Sequence, residues 1–333
     1  MAGYYFRLPP ITQLTIPQQA ALNETKQIAL SGGPGTGKSV VSLWRHISNY
    51  QKSKRSLLLT YTTTLKEYLK ACCRLQSTNA AMNVGTLYRN RPVSKWDEII
   101  VDEAQDMSND YYTDLTSPVS YGADDSQILY PEHCSTQSDL RSIFPNNVRY
   151  ILDKNFRSTQ QIMRFSKQAF PNASIPMTTI IGLSNNVGEK PVLLIYNGNR
   201  NLQNDAIERV INSYKANDHN IAILVPLKSD VIAFENVLDN KRIDYSVYYE
   251  DRDRFPKGCE GIKNVHLTTF KSAKGLEFDT VIIPNFQNYD NNTLRVIKWQ
   301  DYYVACTRAR SNLYLISSHD LPKLNLVTEK ENL

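Results

Sequence analysis

Short apolar runs alternate with helical patterns along all 333 residues of the chain. In the first half, the runs predict strands at residues 28–31, 57–60, 98–102 and 119–123, with helices near 39–49 and 63–75. In the second half, they predict strands at 149–152, 192–196, 221–225, 245–248, 265–269, 280–283 and 313–317, with helices at 158–170, 205–216, 229–240 and 296–310. Strands that alternate with helices are typical of parallel sheets covered by helices. The pattern therefore predicts an α/β protein.

A cluster of turn-forming residues, Pro145-Asn146-Asn147, divides this pattern near its middle. A chain of this length has room for about two domains of ordinary size. We therefore expect one α/β lobe over residues 1–147 and a second over residues 148–333. Residues 172–190 contain the helix breakers Pro176 and Gly182, so we expect a loop there.

Composition narrows the class of protein only a little. Hydrophobic residues make up 41% of the chain and charged residues 21%, which is typical of a globular protein and argues against disorder. The net charge of +5 permits a polyanionic partner without requiring one. No apolar run approaches the roughly 20 residues that span a bilayer, so we expect no membrane contact. Five cysteines without a CxxC pair are typical of a reducing cytosol, so we expect a cytoplasmic protein without a zinc site.

The strongest local signal is a glycine-rich segment between the first predicted strand and the helix after it. Gly32-Gly33-Pro34-Gly35-Thr36-Gly37-Lys38-Ser39 matches the pattern GxxxxGK[ST] in the context that this pattern requires. Backbone N–H groups of such a loop surround phosphates, and the helix N-terminus adds a partial positive charge. We expect Lys38 to reach the β- and γ-phosphates and the Ser39 hydroxyl to bind Mg²⁺.

Paired carboxylates follow another buried strand. Residues 99–101 are apolar, and Asp102-Glu103-Ala104-Gln105-Asp106 comes directly after them. Phosphoryl transfer to water needs a bound metal and a positioned base near the γ-phosphate. We therefore expect Asp102 to hold Mg²⁺ and Glu103 to polarise the attacking water.

Residues 102–106 also resemble motif II of the UvrD/Rep-like superfamily 1 helicases. Segments that resemble the other motifs of this family follow in family order: the Q motif at 14–18, motif Ia at 59–65, Ib at 84–88, III at 122–127, IV at 152–158, V at 269–278 and VI at 303–309. The resemblance implies two tandem RecA-like P-loop NTPase lobes that use ATP and Mg²⁺. The Lys-Gly-Leu-Glu-Phe core of motif V favours the branch that translocates 3′→5′.

The resemblance also implies a role for residues around the nucleotide. Gln18 of the Q motif would read the adenine edge, and Phe156 of motif IV would stack on adenine. Glu277 of motif V would contact the nucleotide site and couple its state to the grip on the strand.

Three further side chains would act on the γ-phosphate. Gln127 of motif III would sense it, while Arg157 of motif IV and Arg308 of motif VI would contact it as cations. In such a family the site is shared between the two lobes, so that binding of ATP closes them and hydrolysis lets them open.

Candidates for nucleic-acid contact are hydroxyl, aromatic and cationic residues in the same motifs. They are Thr60, Thr62, Thr86, Tyr88, Tyr130, Thr268 and Lys271. Lys271 stands where the family usually has histidine, which places a cation near the strand.

Spacing distinguishes this chain from the usual family pattern. Fewer than 40 residues separate Leu65 from Asp102, and about 110 separate Arg157 from Thr269, so the two usual inserted domains do not fit. The leading hypothesis is a helicase-like ATPase that translocates on single-stranded DNA, with a partner protein that supplies a nuclease or grips the duplex. A regulatory ATP switch in a protein assembly and an RNA helicase remain as alternatives.

Overall fold

The computed structural model describes residues 3–87, 95–128, 131–173, 175–216, 218–249, 262–290 and 297–333. The chain forms two compact units. The N-terminal unit is Phe6–Phe156, and the C-terminal unit is Arg157–Leu333 together with the residues up to Tyr5. No helix within the described ranges is long and apolar enough to span a membrane.

The N-terminal unit is built on a six-stranded parallel sheet. Its elements are α1 Ile16–Asn23, β1 Ile28–Ser31, α2 Lys38–Gln51, β2 Ser56–Thr60, α3 Thr63–Arg74, α4 Thr78–Met82, β3 Val84–Thr86, β4 Glu98–Val101, α5 Asn109–Thr113, β5 Val119–Ala123, α6 Gln137–Ile143 and β6 Val148–Ile151. The strand order is β3-β2-β4-β5-β1-β6. Because the strands run in one direction, the segments that leave β1, β4 and β5 emerge at the same edge of the sheet. This edge brings the glycine-rich loop close to the residues after β4 and β5.

The C-terminal unit is built on a second, seven-stranded parallel sheet. Its elements are α7 Gln160–Ala169, α8 Met177–Ile181, β7 Val192–Ile195, α9 Arg200–Ser213, β8 Ile221–Val225, α10 Lys228–Asn240, β9 Ser246–Tyr248, β10 Val265–Thr269, β11 Phe278–Ile283, α11 Trp299–Cys306, β12 Ala309–Ser317 and β13 Glu329–Asn332. The strand order is β13-β7-β12-β11-β8-β10-β9. The two helix-flanked parallel sheets confirm the α/β fold class predicted from the alternating pattern.

The strand expected to open the second lobe belongs to the N-terminal unit instead. β6 pairs with β1, with Val148 opposite Ile28. The Asn147 side-chain amide donates to the carbonyl oxygens of Ile28 at 3.1 Å and Val119 at 2.9 Å. The turn at 145–147 thus joins α6 to β6 within one unit. The units divide between Phe156 and Arg157 and not between residues 147 and 148.

Three local features also differ from the pattern-based expectation. The short helix α8 lies within the predicted loop 172–190. The polar strand β13 pairs with β7 at the edge of the C-terminal sheet, with Lys330 opposite Leu193. Gly3 forms an antiparallel bridge with Lys263, which places the start of the chain in the C-terminal unit.

Each unit buries one histidine in its core. In the N-terminal unit, the ring of His46 contacts the Ser56 hydroxyl at 2.7 Å and the Ala80 carbonyl oxygen at 2.9 Å. In the C-terminal unit, the ring of His266 contacts the Ser246 hydroxyl at 2.8 Å. Burial lowers the pKa of each histidine to about 4. Both rings are therefore neutral in the folded protein at neutral pH.

These histidines predict that acid destabilises both units. The unfolded chain takes up a proton at each histidine below about pH 6.5, whereas the folded chain does so only near pH 4, so stability falls as pH is lowered through this window. The expected loss is up to about 3 kcal/mol per histidine. Urea unfolding between about pH 7 and pH 5 measures it. His46→Gln and His266→Gln should each reduce the pH dependence. An unchanged slope in both buried variants would contradict the assignment.

Candidate nucleotide-binding site

The glycine-rich loop joins β1 to α2, and two of its glycines, Gly32 and Gly37, have backbone conformations and close neighbours that disfavour a side chain. Gly32 has φ +146°, and a Cβ there would lie 2.1 Å from the Leu152 carbonyl oxygen. Gly37 has φ +87°, and a Cβ there would lie 2.4 Å from Nε2 of Gln18. Residues with a Cβ rarely adopt either of these backbone conformations. The glycines therefore allow the loop to pack closely against its own unit.

Lys38 is held directly over this loop. It is only 7% exposed, and its Nζ donates to the carbonyl oxygens of Gly32 at 2.7 Å and Gly33 at 2.9 Å. The same Nζ lies 3.6 Å from Oδ2 of Asp124. Ser39 follows in the first turn of α2. This places the ammonium group and the hydroxyl where the sequence predicts them, at the N-terminus of a helix that follows the loop.

Gln18 supports the loop from α1. Its Oε1 accepts from the Thr15 backbone N–H at 2.8 Å, as part of the capping box that starts α1. Its Nε2 donates to the Thr36 carbonyl oxygen at 2.9 Å. Both ends of the amide are thus engaged within the N-terminal unit. Recognition of the adenine edge by Gln18 stays a prediction.

The two carboxylates after β4 are buried at the same edge of the sheet. Asp102 is 1% and Glu103 7% exposed. Glu103 has φ +57°, a left-handed conformation that is uncommon for a residue with a side chain and costs about 1 kcal/mol or more. Gly122 in β5 leaves room beside Asp102, since a Cβ there would lie 3.5 Å from Cβ of Lys38 and 3.6 Å from Oδ1 of Asp102. Backbone strain such as that of Glu103 tends to persist where function requires the geometry.

A hydrogen-bonded network joins Glu103 to the residues after β5. Gln105 donates from Nε2 to Oε2 of Glu103 at 2.5 Å, and its Oε1 accepts from the Asp124 N–H at 3.1 Å. Oδ2 of Asp124 accepts from Nε2 of Gln127 at 2.6 Å. Because Asp124 also faces Lys38, the network reaches the phosphate loop. It places Gln127 in the neighbourhood that its expected role requires.

Gln105 and Asp124 are functional candidates that the sequence reasoning missed. Gln105 lies in the segment that resembles motif II and Asp124 in the segment that resembles motif III, and both are nearly fully buried polar residues. The available signal was their position after buried parallel strands, where polar side chains converge: Asp124 directly follows β5, and Gln105 lies in the short turn after β4. A polar residue that follows a strand at this edge of the sheet is expected to face the site.

Phe156 closes the N-terminal unit beside the phosphate loop. Its backbone N–H donates to the Gly35 carbonyl oxygen at 2.9 Å, and the residue is 41% exposed. The ammonium group of Lys154 lies 5.3 Å from the centre of the ring. An exposed aromatic face next to a phosphate loop is suited to stacking on a base, and that stacking stays a prediction.

In the C-terminal unit, Glu277 lies between two arginines. Its Oε2 is 3.2 Å from Nε of Arg157, and its Oε1 is 2.6 Å from Nη1 of Arg310. Arg310 also lies 3.8 Å from the Asp279 carboxylate. Burial alone would raise the pKa of Glu277, but Arg310 and Arg157 outweigh it and hold the pKa below its usual value. Sequence reasoning gave Arg310 no role, although it stands two residues after Arg308.

Arg308 follows α11 and is completely buried. Its Nε donates to the Val304 carbonyl oxygen at 3.0 Å, and its Nη1 donates to the Leu276 carbonyl oxygen at 3.4 Å. These contacts tie α11 to the segment that carries Glu277. Contact of Arg157 or Arg308 with a γ-phosphate stays a prediction.

Two of the threonines expected to contact nucleic acid lie at the ends of neighbouring strands. Thr60 ends β2, Thr86 ends β3, and the two residues pair across the strands. The Thr62 hydroxyl accepts from the Leu65 N–H at 3.2 Å and so caps α3. In the C-terminal unit, the Thr268 hydroxyl donates to the Tyr248 carbonyl oxygen, and half-buried Lys271 follows β10. Tyr88 and Tyr130 lie outside the described residues.

The chain is similar in sequence to a known protein family. Residues 150–257 and 254–320 match the UvrD-like helicase C-terminal domain family. The match covers just over half of the chain, so the chain belongs to this family. The resemblance inferred from the motifs is therefore confirmed.

Two relatives with assigned names are similar to parts of the chain. A candidate ATP-dependent DNA helicase of Acanthamoeba polyphaga mimivirus is 28% identical over 247 residues, which cover 65% of this chain and 34% of that protein. The RecB subunit of the RecBCD enzyme of Chlamydia pneumoniae is 31% identical over 91 residues, which cover 27% of this chain and 9% of RecB. The chain thus spans about a third or less of the length of these relatives.

Solved structures with similarity to the chain include further helicases. The C-terminal domain of a DNA helicase candidate from Lactobacillus plantarum is 25% identical, with a TM-score of 0.37, and the match covers 53% of this chain and 98% of that one. The PRRSV helicase is 15% identical, with a TM-score of 0.45, and the match covers 91% of this chain and 54% of that one.

Proposed function

We propose that this chain is a helicase-like ATPase that hydrolyses ATP and translocates on single-stranded DNA. The observation that carries the proposal is the network at one edge of the N-terminal sheet. It joins the loop cation Lys38 to Glu103 and Gln127 through Asp124 and Gln105. Membership of the UvrD-like family and the DNA-helicase name of the mimivirus relative support the choice of ATP and DNA.

The residues of the N-terminal unit fit ATP with Mg²⁺. A hydroxyl from Ser39 and a carboxylate from Asp102 are the hard oxygen ligands that Mg²⁺ prefers, and Gly122 keeps the space beside Asp102 open. Bound Mg²⁺ would neutralise charge on the β- and γ-phosphates. Lys38 would move from the carbonyl oxygens of Gly32 and Gly33 to these phosphates.

Glu103 would orient the attacking water and accept its proton. Its carboxylate already accepts a hydrogen bond from Gln105, which fixes the direction in which the side chain points. In the C-terminal unit, Arg157 and Arg308 would supply cations to the γ-phosphate, and Glu277 would hold Arg157 until then.

The proposed grip on DNA uses Thr60, Thr62 and Thr86 in one unit and Lys271 in the other. Hydroxyls and a cation bind phosphates without reading the base sequence, as translocation requires. Among the described residues between Leu65 and Asp102, the chain forms the rest of α3, then α4, β3 and β4, all within the N-terminal unit. This spacing is too short for the inserted domain that would grip duplex, which supports a motor that works with a partner protein on duplex substrates. The family resemblance supports 3′→5′ movement.

This function predicts that single-stranded DNA stimulates ATP turnover. We expect roughly tenfold stimulation, equivalent to about 1.4 kcal/mol in the activation free energy, because strand binding favours the competent arrangement. Phosphate release is measured with single-stranded DNA, with the same sequence as RNA and with blunt duplex DNA. Equal turnover with and without all three would contradict translocation. Turnover that responds only to RNA would favour an RNA helicase.

A second candidate is an ATP-driven switch inside a protein assembly. The observation that favours it is the similarity to RecB, which is named as a subunit of a larger enzyme. In that case ATP turnover would proceed without any dependence on nucleic acid.

A further inference from the structure

The segment that follows β6 donates hydrogen bonds to backbone carbonyls of the phosphate loop. Nδ2 of Asn155 donates to the Pro34 carbonyl oxygen at 2.9 Å. The backbone N–H of the next residue, Phe156, donates to the Gly35 carbonyl oxygen at 2.9 Å. Asn155 is only 3% exposed. Two consecutive carbonyls of the loop are thus tied to two consecutive residues.

The next backbone carbonyl of the loop, that of Thr36, accepts a hydrogen bond from a different element. Nε2 of Gln18 in α1 donates to the Thr36 carbonyl oxygen at 2.9 Å. The carbonyls of residues 34, 35 and 36 therefore each have a fixed partner within the N-terminal unit.

Fixed carbonyls imply fixed N–H groups. In a planar trans peptide, the C=O of one residue and the N–H of the next point in opposite directions. The three contacts therefore direct the N–H groups of residues 35, 36 and 37 away from the supporting partners. Successive N–H groups held in this way form an anion-binding concavity. Among the three partners, Asn155 is the one for which neither the motifs nor the family resemblance supplied a role.

We propose that Asn155 is a positioning residue for nucleotide binding, which preorganises the phosphate loop through the Pro34 carbonyl. The proposal deepens the proposed function and rests on its assignment of the loop as the nucleotide site. The contact acts on the loop that receives the α- and β-phosphates, so ADP and ATP depend on it equally. A preformed loop binds phosphates more tightly because less ordering is needed on binding.

The chain offers a matched control for this residue. Asn147, immediately before β6, also donates from its side-chain amide to backbone carbonyls of the same sheet, those of Ile28 and Val119. These lie at the opposite ends of β1 and β5 from the phosphate loop. Loss of either amide removes the same kind of bond, but only Asn155 touches the loop.

The test is the affinity of the full chain for fluorescent ADP and for a fluorescent non-hydrolysable ATP analogue. Asn155→Asp keeps the shape of the side chain and replaces the donor by a carboxylate oxygen, and Asn155→Ala removes the side-chain amide and leaves the Pro34 carbonyl without this donor. We expect the Kd for both nucleotides to rise about five- to tenfold in Asn155→Ala and further in Asn155→Asp, where two oxygens would face each other. Asn147→Ala should lower the melting temperature and leave both Kd values unchanged.

Two results would overturn the proposal. One is wild-type affinity in a folded Asn155→Asp variant. The other is a loss confined to the ATP analogue, since that would point to the γ-phosphate and the neighbouring Arg157. Binding needs neither hydrolysis nor DNA, so the test separates this inference from the proposed function. A chain whose nucleotide affinity depends on Asn155 but which never hydrolyses ATP would support the inference and contradict the function.

Discussion

Replacement of Lys38 by alanine is expected to reduce ATP turnover by about 100- to 1,000-fold, which is the usual cost of removing a positioned charge from a transition state. The Lys38 ammonium group lies over the phosphate loop, within hydrogen-bond distance of two of its carbonyl oxygens. Without Lys38, charge that develops on the β- and γ-phosphates would lose the cation that faces it from the phosphate loop, and the proposed Mg²⁺ and arginines would act from other positions. Phosphate release under saturating ATP and single-stranded DNA measures the effect.

The control for this variant is Lys52→Ala, at the exposed end of the same helix α2. It should keep wild-type turnover. Because Lys38→Ala also leaves buried Asp124 without the neighbouring cation, the melting temperature of both variants is measured in parallel. Substantial turnover in a folded Lys38→Ala protein would refute the assignment of the loop.

The core of the site could be predicted from sequence because its determinants are contiguous. The phosphate loop is one eight-residue segment, and its position between a strand and a helix can be read from neighbouring residues. Asp102 and Glu103 follow a clear apolar strand. Parallel strands present their carboxyl ends at one edge, and this is why Asp102 lies near Lys38 in the structure.

The parts that sequence did not predict depend on pairing between distant segments. β6 reads as a strand in either lobe, and only its pairing with β1 assigns it to the N-terminal unit. The polar strand β13 has no apolar pattern of its own and is formed by pairing with β7. The link from Gln105 to Asp124 joins residues on two strands, so neither motif alone reveals it.

The hydrogen-bond partners of Arg157 and Arg308 also could not be predicted from the sequence pattern. Nothing near Arg308 in the sequence indicates that its guanidinium group is buried against the carbonyls of Val304 and Leu276. The pairing of Arg157 with Glu277 joins residues 120 positions apart. Contacts of this range depend on the tertiary fold, so motif spacing cannot supply them.

Replacement of Glu103 by glutamine is the variant expected to separate binding from chemistry. The amide has nearly the same shape as the carboxylate and can still accept the hydrogen bond from Gln105, but it cannot take up the proton of the attacking water. We expect turnover to fall by about 100- to 10,000-fold. Affinity for the fluorescent ATP analogue should stay within about twofold of wild type, because the phosphates are held by the loop and Lys38.

The left-handed conformation of Glu103 makes this variant a sharp test. Glutamine incurs the same backbone cost at φ +57°, so the substitution changes the charge and not the strain. Asp110→Asn, on the exposed face of α5, serves as the matched carboxylate-to-amide control and should keep full turnover. If Glu103→Gln lost nucleotide affinity in step with turnover, the residue would be a binding group. If it kept turnover, another group would have to act as the base.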